Sequence, residues 1–210
     1  MSSEEPKDNF NRFAKIITIV FHPLFMPLYG MIIIFAAPTL LGYLPFNIMK
    51  LLFLIVLVNN VLLPISLLPF FVHHQIISSY SINERKERNI PLIITTILYG
   101  TSSYIIFKFP IPVFLKSFIF STAILSLIVT IINLRWKISL HSVGSGAMIA
   151  LVLILSIKML TPLQWYLIAA FIAAGLTLSS RLKLNMHNPQ QVWVGLLTGF
   201  FGMALFMNLL

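Results

Sequence analysis

Seven long apolar stretches, separated by short polar segments, constrain this chain more than any other feature of its sequence. An α-helix needs about 20 apolar residues to cross the hydrocarbon core of a bilayer. The stretches lie at roughly 17–40, 49–72, 90–107, 111–134, 141–157, 162–179 and 191–209. The sequence therefore predicts an all-α fold, a polytopic integral membrane bundle of six to seven transmembrane helices.

The composition supports lipid as the surroundings of most of the chain. Hydrophobic residues make up 59% of the sequence and charged residues 9%, whereas about a quarter of a soluble domain is charged. Backbone groups in lipid must be satisfied within the segment, which favours helices over an open sheet. We expect a polar tail at 1–12 and a single transmembrane domain at 13–210, as a multi-pass protein of the cell (inner) membrane.

The charged residues are unevenly distributed along the chain. Its 14 Lys and Arg outnumber 5 Asp and Glu, and no Asp or Glu follows Glu87. The second half therefore lacks carboxylates for metal ligation or for a Ser-His-Asp triad. Ten basic residues share the face of the N-terminus and of the loops after the second, fourth and sixth predicted helices, which the positive-inside rule places in the cytoplasm. They are Lys7, Arg12, Lys15, Arg85, Lys86, Arg88, Arg135, Lys137, Arg181 and Lys183.

Two histidines lie on this basic face, close to the starts of two predicted helices. His141 opens the fifth apolar stretch and His187 precedes the seventh. Free N–H groups at helix N-termini attract anions, and arginine matches phosphate oxygens with two hydrogen bonds. One histidine can attack phosphorus while another protonates the leaving oxygen. The simpler alternative is that interfacial His and Arg side chains anchor loops at the head-group level.

The first apolar stretch is the least regular of the seven. It contains His22 between two apolar runs, followed directly by Pro23 and then by Pro27. Proline removes a helix hydrogen bond and clashes with the preceding turn. We expect this stretch to be kinked or partly interfacial. For His22 a local hydrogen bond is the favoured role, and lining a substrate channel is the alternative.

The segment 179–199, SSRLKLNMHNPQQVWVGLLTG, resembles the third signature of the type 2 phosphatidic acid phosphatase superfamily. That signature contains Ser-Arg, then His after five residues and Asp after three more. Gln191 stands where the family has the aspartate. The residues in register are Ser180, Arg181, His187, Val192, Gly195 and Gly199.

The two other signatures of the family are only partly present. Ser139 and His141 match its Pro-Ser-Gly-His motif, but the proline and the glycine are missing. The stretch NERKERNIP at 83–91 has the basic residues of the first motif at a different spacing.

The resemblance implies a metal-independent lipid phosphatase without a cofactor. Its substrate would be a phospholipid phosphate or an isoprenyl phosphate or diphosphate within the lipid bilayer, and no nucleic acid is expected as a partner. In the family, the residue matching His187 is the nucleophile and forms a phosphohistidine, and the one matching His141 protonates the leaving group. The residues that would bind phosphate are Arg181, Ser139, Arg85, Lys86 and Arg88.

Gln191 leaves three functional alternatives open. At i, i+4 from His187 its side-chain carbonyl can accept the histidine N–H, but it has no charge to stabilise an imidazolium. The chain is then a slow enzyme, an enzyme with a substitute carboxylate such as Glu84 or Glu87, or a pseudoenzyme. A pseudoenzyme would bind an anionic lipid or act as a structural partner in the membrane. A small transporter is less favoured, because the apolar stretches contain almost no charged residues.

Overall fold

The computed structural model describes residues 7–79, 82 and 84–209, and this part of the chain is all-α, without strands. Shorter turns join the α-helices: 3-10 helices at Pro23–Phe25, Leu40–Tyr43 and Lys86–Arg88, and a π-helix at Val58–Leu62. The α-helices are α1 (Lys7–Val20), α2 (Met26–Ala36), α3 (Phe46–Leu57), α4 (Leu63–His73), α5 (Asn89–Phe107), α6 (Val113–Arg135), α7 (Leu140–Lys158), α8 (Gln164–Lys183) and α9 (Pro189–Leu209).

Within the described residues, seven helical segments are long and apolar enough to cross a membrane. The first combines α1 and α2 as Phe10–Ala36, and the second combines α3 and α4 as Phe46–His73. The remaining five correspond to α5, α6, α7, α8 and α9. The predicted polytopic helical bundle is therefore confirmed, and the chain is a multi-pass membrane protein.

The first segment is broken, as its prolines predict. Helix α1 ends at Val20, and His22 has an extended backbone before Pro23 starts a 3-10 turn. The His22 Nδ1 accepts a hydrogen bond from the Leu24 N–H at 3.4 Å, which is the predicted local hydrogen bond. Helix α1 begins at Lys7, inside the segment predicted as a polar tail, and packs against α8. Residues 1–6 lie outside the described residues.

The second segment is interrupted by the π-helix, which contains two asparagines. Asn60 is fully buried, and its Oδ1 accepts a hydrogen bond from the Ser102 hydroxyl of α5 at 2.7 Å. Helix α5 is joined to α6 in the same way, since the Thr96 hydroxyl lies 2.9 Å from that of Ser126 and 2.8 Å from that of Thr130. These polar contacts fix neighbouring helices in a surrounding that offers few other hydrogen-bond partners.

Helix α7 lies at the centre of the bundle, and its closest neighbour is α9. The two backbones approach closely because glycines face each other's helix. A Cβ atom at Gly146 would overlap the Leu196 carbonyl oxygen, and one at Gly199 would overlap the Val143 carbonyl oxygen. This contact brings the start of α7 beside the start of α9, where the Ser139 N–H donates to the Gln191 carbonyl at 3.3 Å.

Candidate functional site

A cavity of about 510 Å³ lies inside the bundle, bordered mainly by α2, α4, α5, α6 and α7. Most of its lining is apolar, with side chains such as Phe71, Leu125, Leu151 and Met203. Histidines and arginines from four separate parts of the chain also line it. These residues are His22, Arg88, His141, Arg181 and His187.

The two arginines of the cavity are buried, and neither forms an ion pair with a carboxylate of the described residues. Arg88 is 7% exposed and Arg181 is 6% exposed. The Arg88 Nε donates to the Ile82 carbonyl at 3.0 Å, whereas the Arg181 Nε has no partner among the described residues. A buried cation is costly unless it is paired. An anion bound in this cavity would supply the missing partner.

Arg181 stands in the last turn of α8 and His187 in the short connection to α9. The His187 Nδ1 lies 2.9 Å from the Gln191 Oε1. Because an amide oxygen only accepts hydrogen bonds, Nδ1 carries the hydrogen, and the Nε2 of the neutral ring keeps its lone pair. The contact follows the i, i+4 spacing, although His187 precedes α9 rather than belonging to it.

The sequence Asn-Pro-Gln-Gln at the start of α9 holds Gln191 in place. Asn188 is the residue before the helix, and its Oδ1 accepts the Gln191 N–H at 2.9 Å. In return, the Gln191 Oε1 accepts the Asn188 N–H at 3.4 Å. This is a reciprocal capping box, with proline at the first helical position. Because the Asn188 N–H needs an acceptor, the capping box directs the Gln191 Oε1, rather than the amide nitrogen, to the side where His187 also lies.

The protonation of His187 follows from its surroundings. Burial lowers the pKa of His187 from 6.5 to about 4, while the Gln191 hydrogen bond raises it and Arg181, Arg88 and Lys137 lower it further. The pKa of Lys137 is itself lowered by its partial burial and by Arg88 and Arg181. His187 is thus a neutral imidazole at neutral pH, in the form that a nucleophile requires.

His141 enters the cavity from the first turn of α7. It is 7% exposed, and its Nε2 lies 3.1 Å from the Thr18 carbonyl oxygen at the end of α1. A carbonyl only accepts, so this nitrogen carries the hydrogen. The His141 ring also packs edge-on against His22, with ring centroids 5.4 Å apart at 84°. The other ring nitrogen of His141, Nδ1, is the one left for proton exchange.

Three predicted phosphate-binding residues do not line the cavity. Ser139 is fully buried and caps α7, where its hydroxyl oxygen accepts from the Ser142 hydroxyl at 2.8 Å. The Arg85 guanidinium donates to the Asn133 carbonyl at 2.9 Å and to the Leu134 carbonyl at the end of α6. Lys86 is exposed. Of the basic residues predicted from the first motif, only Arg88 therefore reaches the cavity.

The structure adds His22 and Thr18 to the residues around the cavity. The sequence signal for His22 was the proline after it, which predicts a break in the helix but not where the side chain goes. Comparisons of the chain with family models, with curated proteins and with solved structures find no match. The function must therefore be argued from the chemistry of the cavity itself.

Proposed function

We propose that the chain is a membrane-embedded phosphatase that hydrolyses a lipid phosphate or lipid diphosphate through a phosphohistidine at His187. The observation that carries this proposal is an amphiphilic cavity: within the described residues, two buried arginines without carboxylate partners line it together with His141 and His187, and most of the lining is apolar. An amphiphile with an anionic head group complements both parts. The resemblance of the segment 179–199 to the lipid phosphatase superfamily supports the same chemistry, and we place the protein in the cell (inner) membrane.

The first chemical step transfers the phosphoryl group to the enzyme. The His187 Nε2 attacks the terminal phosphorus, and the bond between this phosphorus and the bridging oxygen breaks. Arg181 and Arg88 stabilise the charge on the non-bridging oxygens, where fixed positive groups act strongly in a site of low dielectric constant. His141, in its protonated form, gives the Nδ1 proton to the bridging oxygen, and the leaving group departs as the lipid alcohol from a lipid phosphate or as the lipid monophosphate from a lipid diphosphate.

The second step releases inorganic phosphate. A water molecule attacks the phosphohistidine, and the now neutral His141 accepts the proton that the water loses. The bond between phosphorus and the His187 Nε2 breaks, and both histidines return to their initial protonation states. Throughout both steps the Gln191 Oε1 holds the hydrogen on the His187 Nδ1 and keeps Nε2 directed to phosphorus.

The proposal is tested by phosphate release from a panel of lipid phosphates and diphosphates in detergent containing EDTA. We expect release by the parent protein and its loss in His187→Ala and His141→Ala. The matched control is His73→Ala, because His73 is an exposed histidine at the end of α4 that does not line the cavity. Full activity in His187→Ala would contradict the mechanism.

One observation favours a second function, in which the same cavity binds an anionic lipid without turnover. The acceptor for the His187 Nδ1–H is the neutral Gln191 amide, which orients the ring but does not stabilise a positive charge on it. Binding of a lipid phosphate that depends on Arg181, with no phosphate release from any member of the panel, would establish this alternative.

A further inference from the structure

We propose that His22 is a further phosphate-binding residue of this cavity, whose Nε2–H donates a hydrogen bond to a phosphate oxygen of the substrate. This inference rests on the proposed function, because it gives the N-terminal segment a direct role in binding the same head group. His22 lines the cavity together with His141, Arg181 and His187, although it lies on the turn between α1 and α2, far from them in sequence.

The backbone of the turn determines which nitrogen of His22 is available. The Nδ1 accepts the Leu24 N–H at 3.4 Å, so a neutral ring carries its hydrogen on Nε2. The turn itself is restrained, since Pro23 follows directly and His22 has the extended conformation that a residue before proline prefers. The side chain therefore presents one donor, Nε2–H, on the side of the ring away from its own backbone.

The neighbour of His22 increases the need for such a donor. His141 uses its Nε2–H on the Thr18 carbonyl and, in the proposed mechanism, its Nδ1–H on the leaving oxygen, so this histidine has no donor left for a non-bridging phosphate oxygen. The His22 ring packs edge-on against the His141 ring at 5.4 Å between centroids. His187 offers no donor either, because its Nδ1–H is bound to the Gln191 Oε1 and its Nε2 is the nucleophile. A neutral N–H donor at His22 therefore adds to the two arginines without adding charge.

Two substitutions separate a phosphate contact made by the His22 Nε2–H from a purely structural role of His22 as the cap of the turn. In His22→Asn the side-chain oxygen can accept the Leu24 N–H as in an Asx turn, but no group reaches the former Nε2 position. In His22→Gln the amide nitrogen lies near the former Nε2 position and can donate, whereas the acceptor for Leu24 is lost. If His22 contacts the substrate, His22→Gln retains phosphate binding and His22→Asn loses it. If His22 only caps the turn, His22→Asn retains phosphate binding and His22→Gln loses it.

The experiment measures binding of decylphosphonate and of inorganic phosphate to the full chain in detergent by isothermal titration. The phosphonate has a P–C bond that is not hydrolysed, so its affinity does not depend on turnover. We expect His22→Gln to bind decylphosphonate within about threefold of the parent. His22→Asn should bind it roughly 10- to 100-fold more weakly, as for the loss of one hydrogen bond to a charged group. A parallel loss for inorganic phosphate shows that the head group is the source of the effect.

Other outcomes overturn the inference. Parental affinity in both variants, equal weakening in both, or rescue by Asn alone would each show that the His22 Nε2–H does not contact phosphate. If either variant fails to fold, ¹⁵N NMR of the histidine-labelled parent decides the question: His22 Nε2 must shift on addition of phosphate, and an unchanged signal refutes the contact. Failure of phosphate release by the parent would instead count against the phosphatase proposal alone.

Discussion

Replacing Gln191 by glutamate changes the charge beside His187 while preserving the shape of the contact. The Gln191 Oε1 accepts both the His187 Nδ1–H at 2.9 Å and the Asn188 N–H at 3.4 Å. A glutamate oxygen at the same position accepts both bonds, because a carboxylate is an acceptor at each oxygen. Aspartate, the residue of the resembled family, is one methylene shorter, so glutamate is the closer probe of the existing geometry.

The expected effect follows from the separation of the charges. Two unit charges about 4 Å apart interact by about 4 kcal/mol at an effective dielectric constant near 20. That energy corresponds to about 3 pKa units. An opposite charge favours the imidazolium, so the pKa of His187 should rise from about 4 towards or above its ordinary value. Arg181 and Arg88 also attract the new carboxylate, which makes this shift an upper bound.

The same charge should accelerate the reaction. Attack by Nε2 on phosphorus leaves a positive charge on the ring, which the carboxylate stabilises. If the transition state carries a third of that charge, turnover increases by about tenfold. Gln191→Asp should act in the same direction if the shorter side chain still reaches Nδ1.

The assay is an NMR titration of ¹⁵N-labelled histidine together with phosphate release as a function of pH. Gln190→Glu is the matched control. Gln190 is exposed, and its substitution by glutamate adds the same charge one residue away from position 191. A pKa of His187 that does not rise in Gln191→Glu, or that rises equally in Gln190→Glu, would refute the assigned contact.

Three further predictions concern stability and phosphate binding. Gly146→Ala should overpack α7 against α9 at a cost of about 1–3 kcal/mol and so lower the thermal midpoint in detergent. Gly100→Ala should leave the thermal midpoint unchanged, because no atom lies within 4 Å of the new Cβ. Arg181→Ala should abolish binding of inorganic phosphate; Arg85→Ala, which loses two carbonyl contacts on α6, should lower the thermal midpoint but leave binding intact. Because burial lowers the pKa of His187, the unfolded chain binds more protons than the folded chain between pH 6.5 and pH 4. The free energy of unfolding should therefore fall by up to about 3 kcal/mol as the pH falls through this range. In His187→Gln the same fall in pH should lower it less.

The membrane-spanning helices could be predicted closely from the sequence. The stretch predicted at 141–157 is α7 at Leu140–Lys158, and that predicted at 191–209 lies within α9 at Pro189–Leu209. Length and hydropathy suffice here because the bilayer allows few alternatives to a helix. The π-helix at Val58–Leu62 was not predicted, although Pro64, two residues after it, lacks the N–H that an α-helix would bond to the Asn60 carbonyl.

The candidate site was predictable where its contacts are local. The contact of His187 with Gln191 spans four positions and follows from spacing alone. The contact of His141 with the Thr18 carbonyl spans 123 positions, and that of Arg85 with Asn133 spans 48. Stretches that are apolar all round have no periodicity that shows which face meets which neighbour. The sequence therefore indicated the chemistry of the basic face but not which basic residues reach the cavity.

The central claim is that His187 carries the phosphoryl group during turnover. It is tested most directly by rapid quenching of the parent protein with a ³²P-labelled lipid phosphate in EDTA, followed by peptide mapping. We expect a label that is stable in base, labile in acid and located on His187, and that is absent in His187→Ala. A label on another residue, or phosphate release with the parental rate by His187→Ala, would contradict it.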